Sequence, residues 1–253
     1  MSPQPPGPEP RAEPGNEAEA VRQRYARRDD SRDARYGPLR PEVQHEQADR
    51  LAALAGWLAR RAARGDGWPP VAGLRLAEVG CGDGGNLLQV LQLGFEPTQL
   101  TGLELLPERV QAARRRLPPG VELIEGDATQ AALPPASQHL VLAYTVFSSL
   151  LDAHFRQRLA QAMWSWLQPG GAVVAYDFTW DNPRNPDVRG MPAAEWRRLF
   201  PEGRFSSRRL TLAPPLARRA AAVHPALART LNLLPPLRTH LMAWIEKPET
   251  PAR

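Results

Sequence analysis

From Leu74 to Glu246 the chain alternates short apolar runs with stretches of helical period. Leu74–Gly80, Leu100–Leu105, Val121–Gly126, His139–Val146 and Gly171–Phe178 read as strands, and Gly85–Leu93, Pro107–Leu117 and Asp152–Leu167 as helices. Strand and helix in regular alternation predict βα units and a parallel sheet. Two further strands, near Arg204–Leu212 and Thr239–Glu246, flank a helical stretch from about Leu216 to Leu231 and bring the strands to seven. Upstream, the spacing predicts a helix over Glu17–Arg28, a break at Tyr36-Gly37-Pro38, and a long helix from Pro41 to about Arg64. In that helix Val43, Leu51, Leu54, Ala55 and Leu58 share one apolar face. The first 20 residues are rich in Pro, Glu and Gly, lack apolar periodicity, and are expected to be a disordered tail. Three segments follow: a tail over 1–20, a helical lid or cap over 21–70, and a ligand-binding domain over 71–253.

The most informative run is Leu76-Ala77-Glu78-Val79-Gly80-Cys81-Gly82-Asp83-Gly84-Gly85, which joins a strand to a helix through a glycine turn. Glycine permits positive φ and lets main chain approach a ligand closely, so such a turn at a strand's carboxyl end is a nucleoside seat. Gly80, Gly82 and Gly85 also satisfy the dinucleotide spacing, with Glu104 at the distance of a ribose-binding acid. The glycines alone therefore leave the nucleoside open.

The flanking residues narrow it. Glu78 stands two positions before the first glycine, Glu104 closes the second strand in Leu103-Glu104-Leu105, and Gly126-Asp127-Ala128 follows the third. Leu167-Gln168-Pro169-Gly170-Gly171 precedes the fifth. This set, from about Leu74 to Lys247, resembles the class I S-adenosylmethionine-dependent methyltransferases, whose first motif is matched by Glu78, Gly80, Gly82 and Gly84. The resemblance implies a Rossmann-like α/β fold with helices on both faces of a seven-stranded, mostly parallel sheet whose last strand is antiparallel, in the order 3-2-1-4-5-7-6. It implies S-adenosylmethionine as cofactor, bound by Glu78, Gly80, Cys81, Gly82, Gly84, Glu104, Leu105, Asp127, Ala128 and Tyr144. The chemistry agrees: that molecule carries a sulfonium, an ammonium and ribose hydroxyls but no phosphate, so its site wants carboxylates rather than a basic cradle.

Composition trims the alternatives. A net charge of +5 invites a nucleic-acid partner, yet Lys247 is the only lysine and no aromatic residues interleave with the arginine clusters as a stacking platform would need. Nucleic acid is therefore not the expected partner. No apolar stretch is long enough to span a bilayer, and the amino terminus has neither a basic nor an apolar leader, so a cytoplasmic protein is expected. Cys81 is the sole cysteine, and no His and carboxylate spacing suggests a metal.

Acceptor chemistry is expected at the ends of strands four and five. Tyr144-Thr145-Val146 stands where amino-group methylases of adenine or glutamine carry Asn-Pro-Pro-Tyr. After strand five, Asp177 to Gly190 gathers three Asp, two Asn, two Arg and two Pro. Tyr144, Asp181, Arg184 and Arg189 are the acceptor-site candidates, and Asp177, Asp181 and His240 the candidate bases. This loop, with Thr211–Arg218 and Leu237–His240, resembles a bacterial methyltransferase subgroup often encoded with surface-polysaccharide or specialised-metabolite genes. That resemblance implies methyl transfer to a hydroxyl of a sugar or small metabolite. An RNA or peptide acceptor, or cofactor binding without turnover, are the alternatives.

Overall fold

The computed structural model describes residues 17–27, 37, 39–182 and 185–249. Seven strands form one sheet in the order β3-β2-β1-β4-β5-β7-β6. They are β1 (Leu76–Val79), β2 (Leu100–Glu104), β3 (Glu122–Glu125), β4 (Gln138–Tyr144), β5 (Leu167–Phe178), β6 (Arg204–Leu212) and β7 (Arg238–Glu246). The first five pair in parallel, and β7 runs antiparallel between β5 and β6. Every residue of β1 and β2 is buried, as expected of central strands covered on both faces.

Eight helices accompany the sheet among the described residues: α1 (Glu17–Ala26), α2 (Pro41–Ala62), α3 (Gly85–Leu91), α4 (Pro107–Arg116), α5 (Ala153–Trp166), α6 (Ala193–Leu199), α7 (Pro214–Val223) and α8 (Pro225–Asn232). Alternation along the strands divides the core. Val79, Leu103, Val141 and Val173 pack with α5, α6 and the inner side of α1, whereas Leu76, Leu100, Leu140 and Val174 pack with α2 and α3. No helix among the described residues is long and apolar enough to cross a membrane.

Several boundaries differ from expectation. α1 begins at Glu17, where the spacing predicts it, so the boundary of the disordered tail expected at residue 20 is set too late. The stripe of α2 is rotated: Arg50, Ala53, Leu54, Trp57, Leu58 and Arg61 are buried, because Trp57 brings the largest apolar surface. The two arginines come with it by lying on aromatic rings, Arg61 4.2 Å from the Trp68 centroid and Arg50 over Tyr144 and Tyr176. β4 stops at Tyr144 rather than Val146, since Thr145 turns left-handed with φ 56°. The helical stretch before β7 divides into α7 and α8 at His224, whose extended backbone precedes Pro225. Residues 1–16, Arg28, Tyr36, Pro38 and Arg184, which figured in the tail, lid and acceptor expectations, lie outside the described residues.

Candidate functional site

The glycine turn is shaped by what stands behind it. Gly80 and Gly82 take φ of 65° and 59°. A Cβ on Gly80 would come within 2.7 Å of Val146 Cγ2, so the turn and the exit of β4 approach more closely than any side chain permits. A Cβ on Gly82 would meet nothing within 4 Å; its face borders open space where a ligand can press against main chain. The Cys81 N–H donates to the Leu103 carbonyl at 3.0 Å, tying the turn to β2. Glu104 completes the tie: Oε2 accepts from the Gly82 N–H and Oε1 from the Leu106 N–H, both at 2.9 Å.

Glu104 also lines a cavity over the carboxyl ends of the central strands, together with Gly80, Leu105, Asp127, Ala128 and Tyr144. Six of the expected cofactor residues thus come together. Asp127 caps the short turn that follows it, its Oδ1 accepting from the Thr129 N–H at 2.8 Å. The rest of the wall is mostly apolar, from Val79, Leu103, Val146, Leu150, Phe155 and Leu159.

α1 supplies the remaining side. Ala18, Val21 and Tyr25 line the cavity, and the guanidinium of Arg109, another lining residue, sits 4.6 Å from the Tyr25 ring centroid. Two polar latches hold the helix to the loop after β4. Arg24 Nη2 donates to the Ser149 carbonyl at 2.9 Å and to Glu17 Oε1 at 2.6 Å, and the same carboxylate oxygen accepts from the Leu151 N–H at 2.7 Å.

The other sequence candidates are placed apart from the cavity. Glu78 is fully buried beneath the turn, where burial raises its carboxyl to about 7; its Oε1 accepts from Asn86 Nδ2 at 2.6 Å. Asn86 Oδ1 in turn accepts from Arg50 Nη2 at 3.3 Å, so Glu78 anchors α3 and α2 to the sheet. Cys81 is buried, its thiol pushed up by that burial; Gly82 is half-buried and tied to Glu104, and Gly84 is buried where a Cβ would come within 2.8 Å of Leu117.

Asp177, proposed as a base, is also fully buried, raised to about 7 by desolvation, and its Oδ2 accepts from the Ser148 N–H at 3.2 Å. It braces the loop after β4. His240 lies under α2, stacked on Tyr176 with centroids 5.0 Å apart, and burial pushes its imidazole below the ordinary value. Asp181 is exposed and braces its own loop, accepting from the Gly190 N–H at 2.7 Å, and Arg189, also exposed, donates its N–H to the Ser148 carbonyl at 2.8 Å.

Three contributors carried no signal in the sequence. Arg109 and Phe155 are single positions in helices whose types say nothing of a cavity, and Arg50 reads as one half of a surface Glu46–Arg50 pair until the helix is rotated inward. Thr145 lines the cavity while holding its left-handed backbone; its N–H donates to the Tyr176 carbonyl and its Oγ1 to the Tyr144 carbonyl.

Sheet order, the antiparallel seventh strand and the glycine turn give the Rossmann-like fold of the class I S-adenosylmethionine-dependent methyltransferases. Residues 76–171 match the family described as "Methyltransferase domain", and this match with the fold implies S-adenosylmethionine as the cofactor. The chain is 37% identical over 108 residues to the fatty-acid O-methyltransferase of Mycolicibacterium smegmatis, covering 42% of this chain and 38% of that one. It is 29% identical over 133 residues to the trans-aconitate 2-methyltransferase of Paracidovorax citrulli, covering 51% and 49%. The aligned regions thus span half or less of the length of these curated relatives. Among solved structures, a possible histamine N-methyltransferase from Thermotoga maritima superposes with a TM-score of 0.58 at 15% identity, over 90% of this chain and 99% of that one, a likeness of fold.

Proposed function

We propose that the chain transfers a methyl group from S-adenosylmethionine to a carboxylate oxygen of a small acid with an apolar body. The residues present fit the cofactor: open space before Gly82, a fixed carboxylate at Glu104, and a second carboxylate at Asp127 along one cavity wall. In this reading Glu104 takes the ribose hydroxyls, Asp127 and Ala128 border the adenine, and the Gly80–Gly82 main chain seats the methionine end. The bound cofactor supplies a methyl carbon already activated by its sulfonium. The chain's part is proximity and exclusion of water, worth up to about 7–11 kcal/mol when the geometry is right. Tyr144, Thr145 and Phe155 would orient the acceptor, and α1 would close over both molecules.

The observation that carries the acceptor class is the absence of a base among the described residues of the cavity. Its titratable linings are Tyr25, Glu104, Arg109, Asp127 and Tyr144; the two carboxylates serve the cofactor, and burial raises the Tyr144 phenol far above neutrality. An alcohol needs its proton removed, whereas a carboxylate arrives with its lone pairs free. The apolar wall of Val146, Leu150, Phe155 and Leu159 favours an acid with hydrocarbon over the expected sugar. The two curated relatives are both named for carboxylic acids, a fatty acid and trans-aconitate, which supports the carboxylate, and the first also supports the hydrocarbon.

The deciding experiment incubates the protein with methyl-labelled cofactor and separate pools of fatty acids, di- and tricarboxylic acids, glycosides, RNA and peptides. A carboxyl ester releases labelled methanol in alkali, and an ether does not. Label in an alkali-stable product would replace the carboxylate with a hydroxyl acceptor. Cofactor binding without labelling of any pool would leave a non-catalytic binder.

A further inference from the structure

The hairpin of α7 and α8, inserted between β6 and β7, exposes apolar side chains that the fold leaves uncovered. Its inner side is closed by alanines: Ala217, Ala220 and Ala228 pack with Leu212 in a small separate cluster. Outside stand Leu216 and Val223, 38% and 76% exposed and seven residues apart, hence on one face of α7. Leu227 on α8 is 40% exposed, and Leu233 and Leu234, just past its end, are 72% and 51% exposed. Five large apolar residues on so short a segment form a surface that scattered exposure does not explain.

Within the segment the charge has one sign, and Glu42, Glu46 and Asp49 of α2 border it only on the side where α8 meets α2. Between Gly203 and Ile245 there are seven arginines and no aspartate or glutamate, more positive charge than the net +5 of the whole chain. The patch continues to the end of β5, where Trp180 is half exposed with the Arg209 guanidinium 4.6 Å from its ring centroid. Arg238 joins the two parts, its Nη1 donating to the Arg209 carbonyl and its Nε to the Asn232 carbonyl at the end of α8.

We propose that this surface docks on an anionic lipid bilayer, the leucines and Trp180 entering the interface and the arginines meeting lipid phosphates. Helices that lie in a membrane surface combine an apolar face with Lys or Arg, and clustered basic residues draw them to anionic lipid. A second copy of the same surface is disfavoured, because arginine would face arginine across a segment that holds no carboxylate. Docking is independent of the acceptor proposed above, since it requires no methyl donor.

The test mixes the full chain with sedimenting vesicles of phosphatidylcholine alone or with added phosphatidylglycerol, at low and high salt. The protein is expected to sediment with the anionic vesicles, to be released by salt, and to ignore pure phosphatidylcholine. L227Q/L234Q should lower the bound fraction about tenfold or more by removing interfacial apolar surface. R218Q/R219Q should weaken the preference for anionic lipid; all these positions are outside the main core, and circular dichroism would confirm that both variants fold. Wild-type protein left in the supernatant, or an L227Q/L234Q variant that binds as well as wild type, would overturn the proposal. So would a wild-type dimer that ignores vesicles and that L227Q/L234Q renders monomeric, which would assign the surface to a second copy.

Discussion

Glu104 holds Gly82 across two neighbouring strands, its Oε2 accepting the Gly82 N–H at 2.9 Å while its other oxygen accepts from Leu106. One carboxylate therefore shapes the turn and offers its remaining lone pairs to the cavity. Replacing Glu104 with Ala should weaken S-adenosylmethionine binding by roughly tenfold or more, as a hydrogen bond to a charged group contributes about 1.5–3 kcal/mol. Calorimetric titration would show it. Unchanged affinity in a folded variant would remove Glu104 from the cofactor contacts.

Gly80→Ala should be worse than its size suggests. The added carbon would stand 2.7 Å from Val146 Cγ2, and the left-handed backbone adds about 1–2 kcal/mol of its own. Val146→Ala removes the clashing methyl, so the double variant should recover part of the melting temperature lost by Gly80→Ala, and the residue left over measures the backbone strain. No recovery at all would mean that the turn and the β4 exit do not meet as described.

Asp177→Asn separates bracing from catalysis. The Asp177 carboxyl is raised to about 7 by burial, above its unfolded value near 3.8, so the folded state binds the extra proton in between. Its stabilising contribution is full below pH 4 and is lost as pH rises towards 7, at up to about 1.4 kcal/mol per pH unit. Denaturant titrations of Asp177→Asn should show a flatter fall over that window. Because Asp177 lies outside the cavity, turnover at matched folded fraction should persist. A large loss of turnover with normal stability and cofactor affinity would return Asp177 to the reaction.

The latched helix α1 predicts a difference between two truncations. Removing residues 1–15 should leave cofactor affinity unchanged, whereas removing everything through Arg40 takes away Ala18, Val21 and Tyr25 and should raise the dissociation constant. Arg24→Ala should reproduce part of that rise by freeing the Ser149 carbonyl and Glu17. Equal affinity in all three proteins would show that α1 does not act as a lid.

The strand ends were the most legible part of the sequence. Apolar runs ending in Gly80, Glu104 and Gly126-Asp127 located three walls of the cavity, because ligands of an open parallel sheet sit outside the carboxyl ends of its strands. Orientation beyond the strands was less legible. Glu78 and Glu104 look equivalent as acids at strand ends, yet Glu78 is buried under the turn and only Glu104 lines the cavity; its partners Asn86 and Arg50 come from two helices whose rotation depends on tertiary packing. Asp177 and Asp181 likewise resemble catalytic acids until their backbone partners, Ser148 and Gly190, are known. α6 was missed because seven residues carry too little periodicity, while the break at His224-Pro225 could have been read from the proline.

Thr145 has a further consequence. A β-branched residue in the left-handed region, on the rim of the cavity, is more costly there than glycine would be. Two selections applied to position 145 should therefore diverge. A screen for heat resistance would collect glycine or asparagine, and a screen for turnover would retain threonine if its hydroxyl and shape orient the acceptor. The frequencies recovered at this one codon would report how much of the rim's geometry is upheld by the reaction rather than by the fold.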